Sequence, residues 1–422
     1  MENKIQRINI NKNSIHPRLL WGIVLIIVGV FIAVIFGLSV QSNLVSTFGM
    51  NLSHTEAIVI PDIVLPAQLS IYILALISVG VGAWQLAKGI RSSGILIGVL
   101  SFAFVASFLI WAAAGKSFNL EGMISSSLVR ATPIALAAMC GVISEKSAVI
   151  NIGIEGIMLI SAQTAVITAT LTHSLALGLI VAIITGGLVA ALHAVLCIHF
   201  KVNHIISGTA INILGAGITT FVSQKYLEKH IDLLNNSGAF PSITIPLLSK
   251  IPILGPTLFE NNIIVYLMLV VVILLQIMLF YTPWGLRTRA VGEHPRAADT
   301  LGINVFLIRY VNTIIGGLIA GIGGAYFTIG TVGRFDQDMT AGKGFIGLAA
   351  MIFGNYIPVG AFASSVIFGF ADSLQVKMQI LSLSIPSEFL QMIPYIVTII
   401  VLAGVVGRAS VPAADGSPYE KQ

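Results

Sequence analysis

Charged and amide side chains are scarce in this chain, and several of them fall inside long apolar runs. The stretch Asn151-Ile152-Gly153-Ile154-Glu155-Gly156 places a carboxylate, an amide and two glycines in a run long and apolar enough to span a membrane. Lipid penalises an unpaired charge by several kcal/mol, so Glu155 is expected to face a protein interior or a watery cavity. Glycine lets helix backbones approach closely, or lets a helix break where it lines a path. The segment therefore reads as the wall of a translocation route. Gln163 lies in the same span and Asn212 in another. Arg130 lies one span earlier and could pair with Glu155, since a lone partner in lipid would be costly. Asp372 and Gln375, three residues apart in a late span, share one helix face. Such groups could hydrogen-bond a polar solute in passage. They could equally tie helices together or satisfy broken backbone.

Other candidates have blander readings. His193 and His199 sit near a helix end, where a histidine is more often interfacial or satisfied than a ligand. Phe353, Tyr356, Phe368 and Phe370 could stack on a ring, but in a membrane such aromatics commonly pack or anchor at the interface. Cys140 and Cys197 lie in apolar runs and read as small buried hydrophobes rather than a disulfide or metal site.

The elements that must position these groups are membrane spans. The 422 residues are 56% hydrophobic and 9% charged, with a mean hydropathy of +0.96; soluble domains carry about 25% charge. The chain is expected to be all-α, a polytopic helix bundle with no room for a separate soluble domain. Twelve apolar segments can be marked: 19–40, 64–86, 94–114, 125–143, 147–171, 175–199, 205–224, 263–282, 308–332, 341–357, 359–380 and 389–407. Segment 341–357 is short and interrupted by glycine. It could be a re-entrant half-helix, which would change the parity of the later spans. Lys4, Arg7, Lys12 and Arg18 precede the first run, which reads as an uncleaved signal anchor with its N-terminus in the cytoplasm. With that start, the alternating inner segments hold fourteen Lys/Arg and the outer ones seven, which supports the orientation and puts the C-terminus inside. The net charge of +5 is scattered over short loops and does not suggest nucleic acid as a partner. Residues 1–120 form an extension with about three spans and a proline-bearing loop (Pro61, Pro66). The tail 409–422 reads as disordered. Ala135-Leu136-Ala137-Ala138-Met139 faintly echoes Gly347-Leu348-Ala349-Ala350-Met351.

The inner loop 283–307 holds Arg287, Arg289, Glu293, His294, Pro295, Arg296, Asp299 and Gly302. Pro295 suits the first position of a helix, Ala297 and Ala298 favour continuation, and Gly302 suits the stop. This predicts a helix of about two turns on the surface between two spans. Such a capped helix reads as a docking element for a cytoplasmic partner.

Four blocks in order over 125–407 resemble permease subunits of bacterial ABC importers of the nucleoside and simple-sugar type, whose binding proteins are basic membrane lipoproteins, within the branched-chain amino acid/ribose-type permease superfamily. The first runs from Ala131-Thr132-Pro133 to Glu145-Lys146, and the second is Asn151 through Met158. The third is Gly292 through Asn304, and the last runs from Met339-Thr340-Ala341-Gly342-Lys343-Gly344 to Phe370-Ala371-Asp372. The resemblance implies a type II importer core of about ten helices over 121–408, with about two extra N-terminal helices. It implies a second homologous permease, a cytoplasmic ATPase docking on the 283–307 loop, and a lipid-anchored binding protein outside. ATP and Mg would be used by the ATPase, and this chain would bind no cofactor or metal. The polar groups Arg130, Asn151, Glu155, Gln163, Asn212, Asp372 and Gln375 would line the path and could meet ribose hydroxyls. The implied location is the bacterial plasma membrane.

The chain has no phosphate-binding loop. Gly115-Lys116-Ser117 has Ile110 where the first glycine is needed, and Gly342-Lys343 is followed by Gly344. An ion-coupled transporter is the rival reading, using Glu155 and Asp372. A membrane enzyme is disfavoured: Ser207-Gly208 lacks the preceding glycine, with Ile205 in its place, and no His-Glu-x-x-His motif occurs.

Overall fold

The structure, a computed structural model, describes residues 17–50, 60–90, 93–381, 386–392 and 410–421. Lys4, Arg7 and Lys12, and most of the expected span 389–407, lie outside the described residues. Among the described residues, ten helices are long and apolar enough to cross a membrane. Each falls on one of the apolar segments marked above. In lipid such a run can satisfy its backbone only by closing each N–H onto the preceding turn. Contacts divide the chain into two units.

The first unit holds α1 (Pro17–Phe31), α2 (Ala67–Ala87) and α3 (Ser93–Ala112). Glycines let α1 and α2 approach closely: a Cβ on Gly82 would stand 2.9 Å from the Gly22 carbonyl. The Ser78 hydroxyl donates to the Leu25 carbonyl across the same seam at 2.9 Å. A small sheet, unforeseen in the sequence, pairs β1 (Val45–Gly49) antiparallel with β2 (Ile63–Pro66) and parallel with β3 (Ser117–Asn119). Pro66 closes β2 and precedes α2, a junction where its missing N–H costs nothing.

The second unit is built on α4 (Leu120–Glu145), whose residues 131–145 are all buried. Around it stand α5 (Ile154–Thr172), α6 (Leu175–Ala194) and α7 (His204–Val222). The long loop after α7 carries α8 (Ile231–Leu234) and α9 (Leu254–Leu258), with β4 (Ile243–Thr244) paired to β5 (Glu260–Asn261). Next come α10 (Ile263–Tyr281), α11 (Pro283–Glu293), α12 (Pro295–Thr300), α13 (Val305–Phe327), α14 (Lys343–Phe353), α15 (Pro358–Ile380) and α16 (Ser387–Gln391). Small residues set the crossings: a Cβ on Gly186 of α6 would lie 2.8 Å from the Gly321 Cα of α13. The two echoing stretches lie in contact, since a Cβ on Gly347 would stand 3.0 Å from the Ala138 nitrogen.

Two spans are broken. The apolar segment 147–171 is helical only from Ile154; residues 147–153 form an open turn, with Ala148 at φ 67°. The segment 341–357 yields only the 11-residue α14, about half the length a span needs. It is not a hairpin that turns back. Its far end reaches the loops around Lys146: that ammonium lies 5.5 Å from the Tyr356 ring, and Asn355 Oδ1 accepts from the Ser410 N–H at 2.7 Å. The break therefore leaves the parity of the later spans unchanged. The expectation of a disordered tail fails, because residues 410–421 pack against the α4–α5 turn, α11 and α13.

Candidate translocation site and coupling surface

The polar groups expected to line the path fall in two regions, and the pairing expected for Arg130 is corrected. Glu155 does not meet Arg130. In the first turn of α5 it reaches the start of α14: Oε1 accepts from the Thr340 hydroxyl (2.5 Å) and the Gly342 N–H (2.9 Å), and Oε2 from the Gly344 N–H (2.7 Å). A carboxylate suits this place, where a helix start exposes unpaired donors and a partial positive charge. Gly344 must lack a side chain, since a Cβ there would fall 2.6 Å from Glu155 Oε2. The amides hold the other side of the break. Asn212 accepts from the Gly156 N–H at 2.8 Å and donates to the Ile152 carbonyl at 2.9 Å. Asn151 Oδ1 accepts from the Gly153 N–H at 3.1 Å, and Gln163 donates to the Thr219 carbonyl at 2.8 Å. Glu155, Asn212 and Gln163 thus tie α5 and the turn before it to α14 and α7, while Asn151 braces that turn itself.

The second cluster gathers α4, α14 and α15. Asp372 bridges two cations, with Oδ2 3.0 Å from Arg130 Nη1 and Oδ1 2.9 Å from Lys343 Nζ. Lys343, which counts as a loop charge in the sequence, is the member that sequence reasoning missed. Its signal was a charge inside the marked apolar segment 341–357. Ser126 and Ser373 hydroxyls meet at 2.7 Å one turn away. Gln375 sits one turn further along α15, partly exposed. Two cations on one carboxylate leave a net positive charge, and the Arg130 side chain keeps 35% of its surface open. Arg130 lies 15 residues before the end of α4 and Asp372 14 residues after the start of α15. At 1.5 Å per residue both sit about 20 Å from those ends, deep within a membrane of roughly 30 Å.

His193 is fully buried and satisfied, with Nδ1 2.9 Å from the Ser207 hydroxyl and Nε2 2.9 Å from the Ile150 carbonyl. Cys140 and Cys197 are free thiols, both buried.

In the loop 283–307 the short helix opened by Pro295 forms as expected, and it is preceded by an eleven-residue helix, α11, that was not foreseen. The Thr282 hydroxyl accepts from the Gly285 N–H to start α11, Pro295 opens α12, and Gly302 turns the chain at φ 81°. Trp284 donates to Asn312 at 2.9 Å and Asn312 to Thr288 at 3.0 Å, anchoring α11 to α13. Arg287, Glu293, His294 and Arg296 are exposed, while Pro295 and Asp299 are partly covered. Arg289 turns inward, its guanidinium 5.1 Å from the Phe280 ring. Leu286 and Leu301 are 63% and 82% exposed beside these charges.

The family described as branched-chain amino acid transport system / permease component matches residues 123–402. The chain belongs to that family. As an ABC-type permease it is a multi-pass transport subunit and not an enzyme. It is 40% identical over 313 residues to the nucleoside ABC transporter permease protein NupC of Lactococcus lactis, covering 72% of this permease and 98% of the relative. It is 40% identical over 313 residues to the guanosine ABC transporter permease protein NupQ of Bacillus subtilis, covering 71% and 96%. The putative glucose ABC transporter permease protein TsgC13 of Haloferax volcanii matches at 32% over 328 residues, covering 71% and 98%. No solved structure matches this permease.

Proposed function

We propose that this permease imports nucleosides across the bacterial plasma membrane by alternating access, driven by a separate cytoplasmic ATPase. The observation that carries the substrate class is its 40% identity to nearly the whole length of permeases named for nucleoside and guanosine transport. Alternating access needs helices that can rearrange around a site deep in the membrane. The two broken spans and the Arg130–Asp372–Lys343 cluster supply such a region. Of the polar groups first assigned to the path, Arg130, Asp372 and Gln375 keep that role, with Lys343 added. Asn151, Glu155 and Asn212 hold the broken backbone beside it, and Gln163 ties α5 to α7.

The ATPase docks on α11 and α12, whose outer face combines Leu286 and Leu301 with Arg287, Glu293, His294 and Arg296. Exposed leucines rimmed by charge suit burial under a protein partner. ATP and Mg belong to that ATPase. A second homologous permease completes the pore, and a lipid-anchored binding protein delivers solute outside. The loops at 146, 201 and 283–307 and the segment 410–421 share one side, and the excess of Lys and Arg supports reading that side as the cytoplasmic one.

A simple-sugar substrate is the second reading, favoured by the likeness to TsgC13. Radiolabelled guanosine uptake in cells whose proton gradient is collapsed but whose ATP is intact tests the proposal. Uptake should persist, and unlabelled uridine should compete where ribose and glucose do not. Loss of uptake under those conditions would favour ion coupling, and competition by the sugars alone would favour the second reading.

A further inference from the structure

The stretch 410–421 bridges three elements. The Ala414 N–H donates to the Gly292 carbonyl at the end of α11 (2.9 Å), and the Ala413 N–H to Glu293 Oε2 (3.3 Å). The Gly416 N–H donates to the carbonyl of Ala148 in the open turn between α4 and α5 (3.3 Å). The Ser417 carbonyl accepts from Arg309 Nη1 on α13 (3.0 Å). Tyr419 is 5% exposed and packs with Val291, Ala298, Val305 and Ile308, its ring 5.3 Å from that of Phe306. Lys201 pairs with Glu420 beyond it.

A helix as short as the six-residue α12 has little stability of its own. A partner that pushes on it moves the bundle only if something stiff stands behind it. The stretch 410–421 stands there, bonded both to the end of α11 and to the turn that leads out of the fully buried part of α4.

We infer that residues 410–421 form a positioning strap, which seats α12 and carries its displacement to the α4–α5 turn. This rests on the reading that an ATPase docks at α12. The test uses the complete transporter in proteoliposomes, with uptake and ATP hydrolysis measured together. The variants are a chain ending at Ala409, Tyr419→Ala, Tyr419→Phe and the double change R296A/D299A. The shortened chain and Tyr419→Ala should still bind the ATPase and hydrolyse ATP, with solute moved per ATP lowered roughly tenfold, the effect of about 1.4 kcal/mol. Tyr419→Phe keeps the packed ring and should remain near the parent ratio. R296A/D299A should instead lose ATPase binding, the readout that separates it from the strap variants even though both residues face Tyr419; full binding and uptake there would refute docking at α12. Unchanged solute per ATP in Tyr419→Ala would overturn the strap. So would equal damage from Tyr419→Phe, and so would loss of assembly in both the shortened chain and Tyr419→Ala, which would make the segment a folding element only.

Discussion

Glu155 and Asp372 show how different two intramembrane carboxylates can be. Glu155 accepts three hydrogen bonds from the start of α14, so its charge is spent on orphan donors rather than on a cation. Glu155→Gln would turn an amide NH2 toward the Thr340 hydroxyl and the Gly342 N–H or toward the Gly344 N–H. The expected cost is ~1–3 kcal/mol, read as a lower thermal midpoint of the purified protein; an unchanged midpoint would contradict the cap. Asp372 balances Arg130 and Lys343. Asp372→Asn should destabilise by ~2–4 kcal/mol, below the fully buried case because Arg130 is partly open. Adding Lys343→Met should recover part of that loss, and a double variant worse than the single would refute the shared carboxylate. The sequence exposed both carboxylates because charge in an apolar run is conspicuous. It misassigned the partner of Arg130 because pairing depends on where broken helices stop, and the donors that satisfy Glu155 are mostly backbone N–H groups with no residue signature.

At the scale of elements, hydrophobic runs revealed the spans, since lipid leaves a helix as the only way to close the backbone. The stop and start of α12 were readable from Pro295 and Gly302, which act locally. The break before Ile154 was only partly so: Asn151 and Gly153 marked the place, but that the chain leaves the helix from 147 to 153 depends on the positive φ of Ala148 and the Asn151–Gly153 bond. The order in 410–421 was hidden because short polar segments gain structure from their neighbours. Asp415 in that segment lies against Glu145, with Lys146 and Arg309 also facing it, and burial pushes its carboxyl from 3.8 up to about 6. The folded state thus binds the extra proton between these values, so the segment's stability contribution is present at low pH and is lost as pH rises through about 6. The thermal midpoint of the parent protein should fall relative to Asp415→Asn between pH 5 and pH 7.5, by the equivalent of about 1 kcal/mol. Parallel pH curves for the two would contradict this.

Across the whole molecule, the family match begins at residue 123, after α1, α2 and α3. NupC and NupQ are covered almost completely while about a quarter of this permease goes unmatched. A chain beginning at residue 120 should therefore retain ATP-dependent uptake in vesicles once its expression is matched to the parent's; its loss would assign the first three helices a part in transport. The most direct test of the central claim is radiolabelled guanosine and uridine uptake, with ribose alongside, in a strain deleted for this gene and in the complemented strain. Nucleoside uptake lost on deletion and restored by the gene is the expected result. Nucleoside uptake unchanged by deletion would contradict the assignment.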